Sequence, residues 1–79
     1  MYYTYILQSQ KDKTYYAGST EDLKQRIKEH NNGRVIYTSS RKPYKLVFYC
    51  AFPEKEKAYQ FEKYLKTGSG NAFFKKRLV

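Results

Sequence analysis

Three stretches of the chain are rich in the aromatic and β-branched residues that are typical of β-strands. They span residues 2–7, 14–17 and 46–52. The polar run 8–13 separates the first two, which predicts a hairpin loop between antiparallel strands. The third stretch is continuously apolar, and this pattern predicts the central strand of a sheet, covered on both faces.

A helical pattern begins directly after the second strand. We predict a helix over about residues 20–31, with Ser19 or Thr20 as its N-cap and Asn31-Asn32-Gly33 as its stop signal. Gly18, just before it, allows either a tight turn or the close approach of another group. Residues 34–45 have no sustained periodicity, so we expect mainly a loop there.

Two more helices are predicted in the last third of the chain. Pro53 suits the first turn of a helix that continues to about Lys66, with Ala58, Phe61 and Leu65 as its apolar stripe. Residues 68–70, Gly-Ser-Gly, are expected to break this helix. Asn71 is the expected cap of a final short helix.

Polar side chains occupy positions where the fold favours apolar ones. Arg26 and His30 share a helical face with the apolar residues of the first helix, and Glu62 lies on the apolar stripe of the second. Tyr5 and Tyr16 fall on paired strands, so two phenols can meet on one sheet face. Each placement also has an ordinary explanation: a satisfied core histidine, an arginine that reaches the rim, or a structural ion pair between Glu62 and Arg26.

The composition of the chain indicates the kind of partner that these polar residues act on. Sixteen Lys and Arg residues against seven Asp and Glu give a formal charge of +9 in 79 residues, which indicates a polyanionic partner and one small domain, residues 1–79. Nucleic acid is the leading candidate, with RNA left open. No stretch approaches the ~20 apolar residues of a membrane-spanning helix, so we expect a cytoplasmic protein that does not enter a membrane. The lone Cys50 is expected to be a small buried thiol.

The inward polar residues suit phosphodiester cleavage. This reaction needs a base for the attacking water, a cation for the phosphoryl oxygens and help for the leaving alkoxide. Arg26 can bind phosphate oxygens, Glu62 can hold a hydrated Mg²⁺, and His30 or a tyrosine can activate the water. These residues serve one reaction only if the fold brings them together in one cleft.

The chain resembles the GIY-YIG nuclease family, and most closely its small single-domain bacterial branch. Tyr3-Thr4-Tyr5 stands at the first signature and Tyr16-Ala17-Gly18 at the second, and the helical Arg26, His30 and Glu62 follow in order. The resemblance covers almost the whole chain. It implies an α+β fold, a small three-stranded antiparallel sheet flanked by helices, and a one-metal endonuclease site that uses Mg²⁺ or Mn²⁺.

The resemblance assigns catalytic roles to Tyr5, Tyr16, Arg26, His30 and Glu62, with Glu62 as the metal ligand, and it offers Gly18 and Asn71 as weaker matches. Ser19 stands where the repair-nuclease branch has lysine. The implied activity is cleavage of DNA in repair or processing, with a possible protein partner that supplies target choice. The alternative is a non-catalytic nucleic-acid-binding module or a subunit of a larger repair complex. Independently of the resemblance, the residues predicted to contact phosphates are Arg34, Arg41, Lys42 and Lys45.

Overall fold

Three antiparallel strands and three α-helices form an α+β domain in the computed structural model, which describes residues 1–79. The elements, in chain order, are β1 (Tyr2–Ser9), β2 (Tyr15–Thr20), α1 (Leu23–Asn31), a 3-10 helix (Ile36–Arg41), β3 (Tyr44–Phe52), α2 (Lys55–Leu65) and α3 (Gly68–Arg77). The strand order in the sheet is β2-β1-β3. The predicted fold class is therefore confirmed.

The central strand is β1, and the prediction that residues 46–52 form the central strand is wrong. Four consecutive side chains of β1, from Thr4 to Leu7, are buried, whereas β3 is an edge strand on which Tyr49 is 53% exposed. The apolar run in β3 reflects partial burial of side chains. It carries no information about which strand has hydrogen-bonded neighbours on both sides.

Each face of the sheet is covered by different helices. On one face, α2 and α3 pack against the sheet, and the buried residues of this core are Ile6, Ala17, Leu65 and Phe74. On the other face, α1 contributes Leu23 and Ile27 to a second core that contains Tyr5, Leu7 and Tyr44. The alternation of side chains along β1 thus divides the molecule into an α1 face and an α2 face.

A hydrogen bond attaches α2 to the central strand. The hydroxyl of Thr4, which is fully buried, donates to the carbonyl oxygen of Ala58 at 2.7 Å. The hydroxyl of this buried residue is thus satisfied by the helix that covers it.

The start of α1 differs from the prediction. β2 continues through Gly18 to Thr20, so Ser19 and Thr20 lie in the strand, and the N-cap is Asp22, whose side chain accepts from the Gln25 N–H at 3.1 Å. The end of α1 is as predicted. Asn32 is the C-cap and Gly33 has a φ of 75°, the left-handed conformation that favours glycine.

As predicted, α2 ends near Lys66, but residues 68–70 do not form the break after it and Asn71 does not cap the last helix, because residues 68–70 are the first turn of α3. Thr67 is the N-cap of α3, and its hydroxyl accepts from the Gly70 N–H at 3.0 Å. Gly70 is needed because a Cβ there would collide with the carbonyl oxygen of Tyr64 at the end of α2. Glycine at position 70 allows α2 and α3 to join closely.

No helix of the structure has the length and apolar character needed to cross a membrane.

Candidate active site

Tyr5 extends across the sheet towards the edge strand. It pairs with Gly18 of β2, and its hydroxyl lies directly over that glycine. A Cβ at position 18 would stand 2.6 Å from Cζ of Tyr5, so only glycine leaves room for the phenol. Of the two roles that the sequence allowed for Gly18, the structure shows the close approach and not the turn.

His30 is fully buried beside Tyr5, at the end of α1. The hydroxyl of Tyr5 is 2.9 Å from His30 Nε2, and His30 Nδ1 is 2.8 Å from the hydroxyl oxygen of Thr38 in the 3-10 helix. The Thr38 hydroxyl donates to the carbonyl oxygen of Val35 at 3.3 Å. Assigning the single proton of that hydroxyl to Val35 makes Nδ1–H the donor to Thr38 and leaves the lone pair of Nε2 to accept the proton of Tyr5.

Both members of this pair are neutral near pH 7. Burial, together with the nearby Arg26 charge, lowers the pKa of His30 to about 4. Burial raises the pKa of Tyr5 to about 12, with Arg26 acting in the opposite direction and the charges of Tyr16 and Glu62 adding to the rise. His30 has both ring nitrogens engaged and no exposed surface, so it cannot activate a water molecule directly.

Tyr16 lies on the same face as Tyr5, as predicted. It is half-buried and pairs with Leu7 across the β1–β2 ladder. Its ring centroid is 5.1 Å from the His30 ring and 5.8 Å from that of Tyr37. His30 therefore packs against both signature tyrosines, and Tyr16 is the more accessible of the two.

Arg26 lies at the rim of this face rather than in the core. Its side chain is 37% exposed, and Nη1 forms an ion pair with Oε1 of Glu29 at 2.9 Å. The hydrogen bond with Glu29 raises the pKa of the guanidinium, which stays charged. The structural ion pair between Arg26 and Glu62 that the sequence allowed is not present.

Glu62 comes from the opposite face of the sheet. One carboxylate oxygen accepts from the hydroxyl of Ser19 in β2 at 2.6 Å, and the other pairs with Lys66 Nζ at 2.7 Å. Burial disfavours the charge of Lys66, but the Glu62 carboxylate outweighs this effect and raises the pKa of Lys66. A single cleft on one face, expected for five residues that serve one reaction, is therefore not what the structure shows.

The two faces meet around the outer edge of β2. Lys66 Nζ, which pairs with Glu62, also lies 5.3 Å from the ring centroid of Tyr16 on the other face. The Glu62 charge contributes to the pKa of Tyr5, so the two groups lie within electrostatic range. No further strand pairs with β2 on this side, so the sheet does not extend beyond this edge.

Glu62 is a single carboxylate ligand, which suits a metal ion that also binds the substrate. No group of three or more His, Cys, Asp and Glu side chains is gathered anywhere in the chain. Mg²⁺ commonly binds through one or two carboxylates and completes its shell with water and substrate phosphates. Lys66 is an exposed neighbour on the same helix, and a metal ion at Glu62 would have to displace its ammonium from the carboxylate.

The basic residues predicted to contact nucleic acid are all exposed: Arg34, Arg41 and Lys42 lie between α1 and β3, and Lys45 is the second residue of β3. Arg41 is partly engaged because Nε pairs with Asp12 at 3.0 Å.

Asn71 lies apart from Arg26, in a groove between β2 and α3. Cys50 is half-buried, and burial raises the pKa of its thiol, so it has no sign of an activated nucleophile.

Sequence reasoning missed Lys66, Thr38 and the contact that Ser19 makes. The spacing of Glu62 and Lys66, four residues apart on a predicted helix, was a usable signal for their ion pair. No comparable signal marked Thr38, which lies in a segment expected to be mainly loop.

The comparisons with known proteins agree on one family. The GIY-YIG catalytic domain profile matches residues 1–77. A UPF0213 protein of Clostridium perfringens is 46% identical over 67 residues, which cover 84% of this chain and 71% of that protein. The UPF0213 protein YazA of Bacillus subtilis is 46% identical over 57 residues, which cover 71% of this chain and only 58% of the relative. The solution NMR structure of a UPF0213 protein from Bacillus halodurans has a TM-score of 0.58 at 36% identity and covers 96% of this chain and 84% of that one.

Proposed function

Because the chain belongs to the GIY-YIG catalytic domain family, we propose that it is a divalent-metal-dependent endonuclease that hydrolyses phosphodiester bonds of DNA. We place its role in DNA repair or processing in the cytoplasm. The observation that supports catalysis most directly is the hydrogen bond between Tyr5 Oη and His30 Nε2, at 2.9 Å.

This hydrogen bond gives Tyr5 a place to send its proton. A neutral phenol can accept a proton from water only if it releases its own, and Nε2 of the neutral His30 is the acceptor. Thr38 holds the required tautomer by accepting from Nδ1. The substrate's negative charge favours the imidazolium that forms, which the free protein disfavours. Tyr5 is 1% exposed and Gly18 beneath its hydroxyl is buried, so the proposal requires the side chains around this hydroxyl to move when the attacking water and substrate bind.

The remaining residues bind and orient the phosphate. The charged Arg26 donates to the phosphoryl oxygens from the rim, and Tyr16 orients the water with a hydroxyl that no other residue engages. Glu62, oriented by the Ser19 hydroxyl, would hold the metal ion, which would supply charge stabilisation at the scissile phosphate. As the water oxygen bonds to phosphorus, the P–O bond to the alkoxide breaks, and the alkoxide takes a proton from solvent. Lys66 can then pair with a phosphate instead of with Glu62.

Two features of the site favour the alternative, a DNA-binding module without catalysis. The first is that Glu62 comes from the opposite face of the sheet to Tyr5 and Tyr16, so the enzyme requires a substrate that spans the outer edge of β2. The second is the charge around Glu62. Lys66 neutralises Glu62, and no second carboxylate stands beside them. The binding module needs only the +9 charge and the exposed basic segment.

Glu62→Gln separates the two proposals. The amide keeps the shape and can still accept from Ser19, but it lacks the charge that a metal ion needs. For the enzyme, Mg²⁺-dependent cleavage of labelled duplex, single-stranded and branched DNA should collapse, as it should for the parent protein in EDTA, while DNA affinity persists. The matched control is Glu56→Gln, an exposed glutamate in the first turn of the same helix. A Glu62→Gln protein that cuts at the parent rate would exclude Glu62 as the metal ligand.

A further inference from the structure

An aromatic groove runs along the outer edge of β2, next to the candidate active site. We call it the aromatic groove; its walls include Tyr15, Tyr16, Tyr37, Lys66, Asn71 and Phe74. Tyr16 and Lys66 also belong to the candidate active site, so the two sites are continuous. A ligand bound at the active site would therefore place its next group in the groove.

One wall of the groove is an aromatic ring with an open face. Tyr37, on the 3-10 helix, is 76% exposed, and its neighbour Ile36 is 91% exposed. The Tyr37 ring is supported on one side by Tyr16, with centroids 5.8 Å apart and an interplanar angle of 44°. Large exposed apolar side chains beside a concave surface are typical of a binding site.

The polar groups of the groove select the kind of ligand. Lys66 lies at the edge of the groove and pairs with Glu62, so a phosphate that binds its ammonium shares it with that carboxylate. A charged pair at the edge suits a phosphate better than an apolar segment of a protein. The backbone N–H of Asn71 donates to Thr67, but its side-chain amide has no partner within the chain and can serve as both donor and acceptor. Aromatic faces, an amide and a cation together match a nucleotide.

We propose that the aromatic groove binds an unpaired nucleobase of the DNA strand, stacked on Tyr37, with the adjoining phosphate at Lys66. This inference rests on the proposed function and specifies its substrate class, which is DNA with single-stranded or splayed nucleotides next to the cleaved bond. A base inside an intact duplex has both faces covered by its neighbours, and it cannot stack on a side chain without leaving the helix.

The test is binding of a short single-stranded DNA that contains one aminopurine, a fluorescent adenine analogue, with EDTA present so that no cleavage occurs. Stacking on an aromatic ring should quench the fluorescence. Tyr37→Ala should weaken the affinity about 5- to 100-fold and abolish the quenching, since stacking on one aromatic side chain has an effect of this size. The matched control is Tyr49→Ala, which removes another exposed tyrosine, on β3 and outside the groove, and should change neither.

The outcomes separate this inference from the proposed function. If Tyr37→Ala binds the strand as tightly as the parent and quenches it equally, the groove does not hold a base, whatever the nuclease activity is. Equal affinity of the parent protein for single-stranded DNA and for a perfect duplex would also overturn the proposal. Quenching that depends on Tyr37, without cleavage in Mg²⁺, would support the groove and refute the enzyme.

Discussion

Acid should destabilise this fold through His30, the only histidine in the chain. Burial, together with Arg26, lowers its pKa from 6.5 in the ordinary case to about 4. The unfolded chain therefore binds a proton at a higher pH than the folded one. The stability contributed by neutral His30 is complete above pH 6.5 and is lost as the pH falls through this window to about 4.

The size of this loss follows from the two pKa values. Each unit corresponds to about 1.4 kcal/mol, so a shift from 6.5 to about 4 gives at most about 3 kcal/mol of lost unfolding free energy. The structure gives the physical reason, since a protonated imidazole has no lone pair left to accept from Tyr5. Small domains have only about 5–15 kcal/mol of stability, so the effect is large.

The assay is urea unfolding at pH 7 and pH 4.5 on the parent and on His30→Gln, whose amide can replace both hydrogen bonds. Carboxylates titrate in the same range, so the comparison with the variant isolates the histidine. We expect the parent to lose about 2–3 kcal/mol more than the variant. An NMR titration of the single imidazole supplies an independent check if the variant folds poorly. An imidazole that titrates near 6.5, or equal pH dependence of the two proteins, would refute the reasoning.

Three further predictions concern the sheet edge, the basic segment and the metal. Gly18→Ala should displace the ring of Tyr5 and cost about 1–3 kcal/mol in urea unfolding, and an unchanged midpoint would show that the contact is loose. Replacing Arg41 and Lys42 together by alanine should weaken binding to all DNA sequences alike and reduce the salt dependence, as measured by titration at several salt concentrations. Mg²⁺ should bind Glu62 weakly in the free protein and more tightly with DNA, and calorimetry that finds equal affinities would contradict a shared site.

The sequence predicted the elements better than their arrangement. The residue types of β1, β2 and β3 identify strands because aromatic and β-branched side chains suit a pleated surface. The central position of β1 was not predictable from the apolar run of β3, because strand order depends on pairing between distant segments. The caps of α1 and α3 were misplaced because several neighbouring Ser, Thr and Asp side chains can each accept from a helix N–H.

In the candidate site too, the sequence predicted part of the arrangement, namely the direction of the side chains, but not their partners. Helical spacing predicted an inward His30 and a Glu62 on the apolar stripe, and the structure buries the first and half-buries the second. The partners of these residues depend on tertiary contacts. Thr38 reaches His30 from an irregular segment, and Arg26 pairs within its own helix rather than across the sheet. Sequence periodicity gives the direction of a side chain but not the group it meets.

The hydrogen bond from Thr4 to Ala58 has a consequence for comparing members of this family. Ala58 is one helical turn before Glu62, so the hydroxyl in the middle of the first signature sets the height of the glutamate above the sheet. A chain with isoleucine at this position must set that height by packing alone. Exchanging the residue between such chains should therefore require a compensating change on the helix, and the two positions should vary together rather than independently.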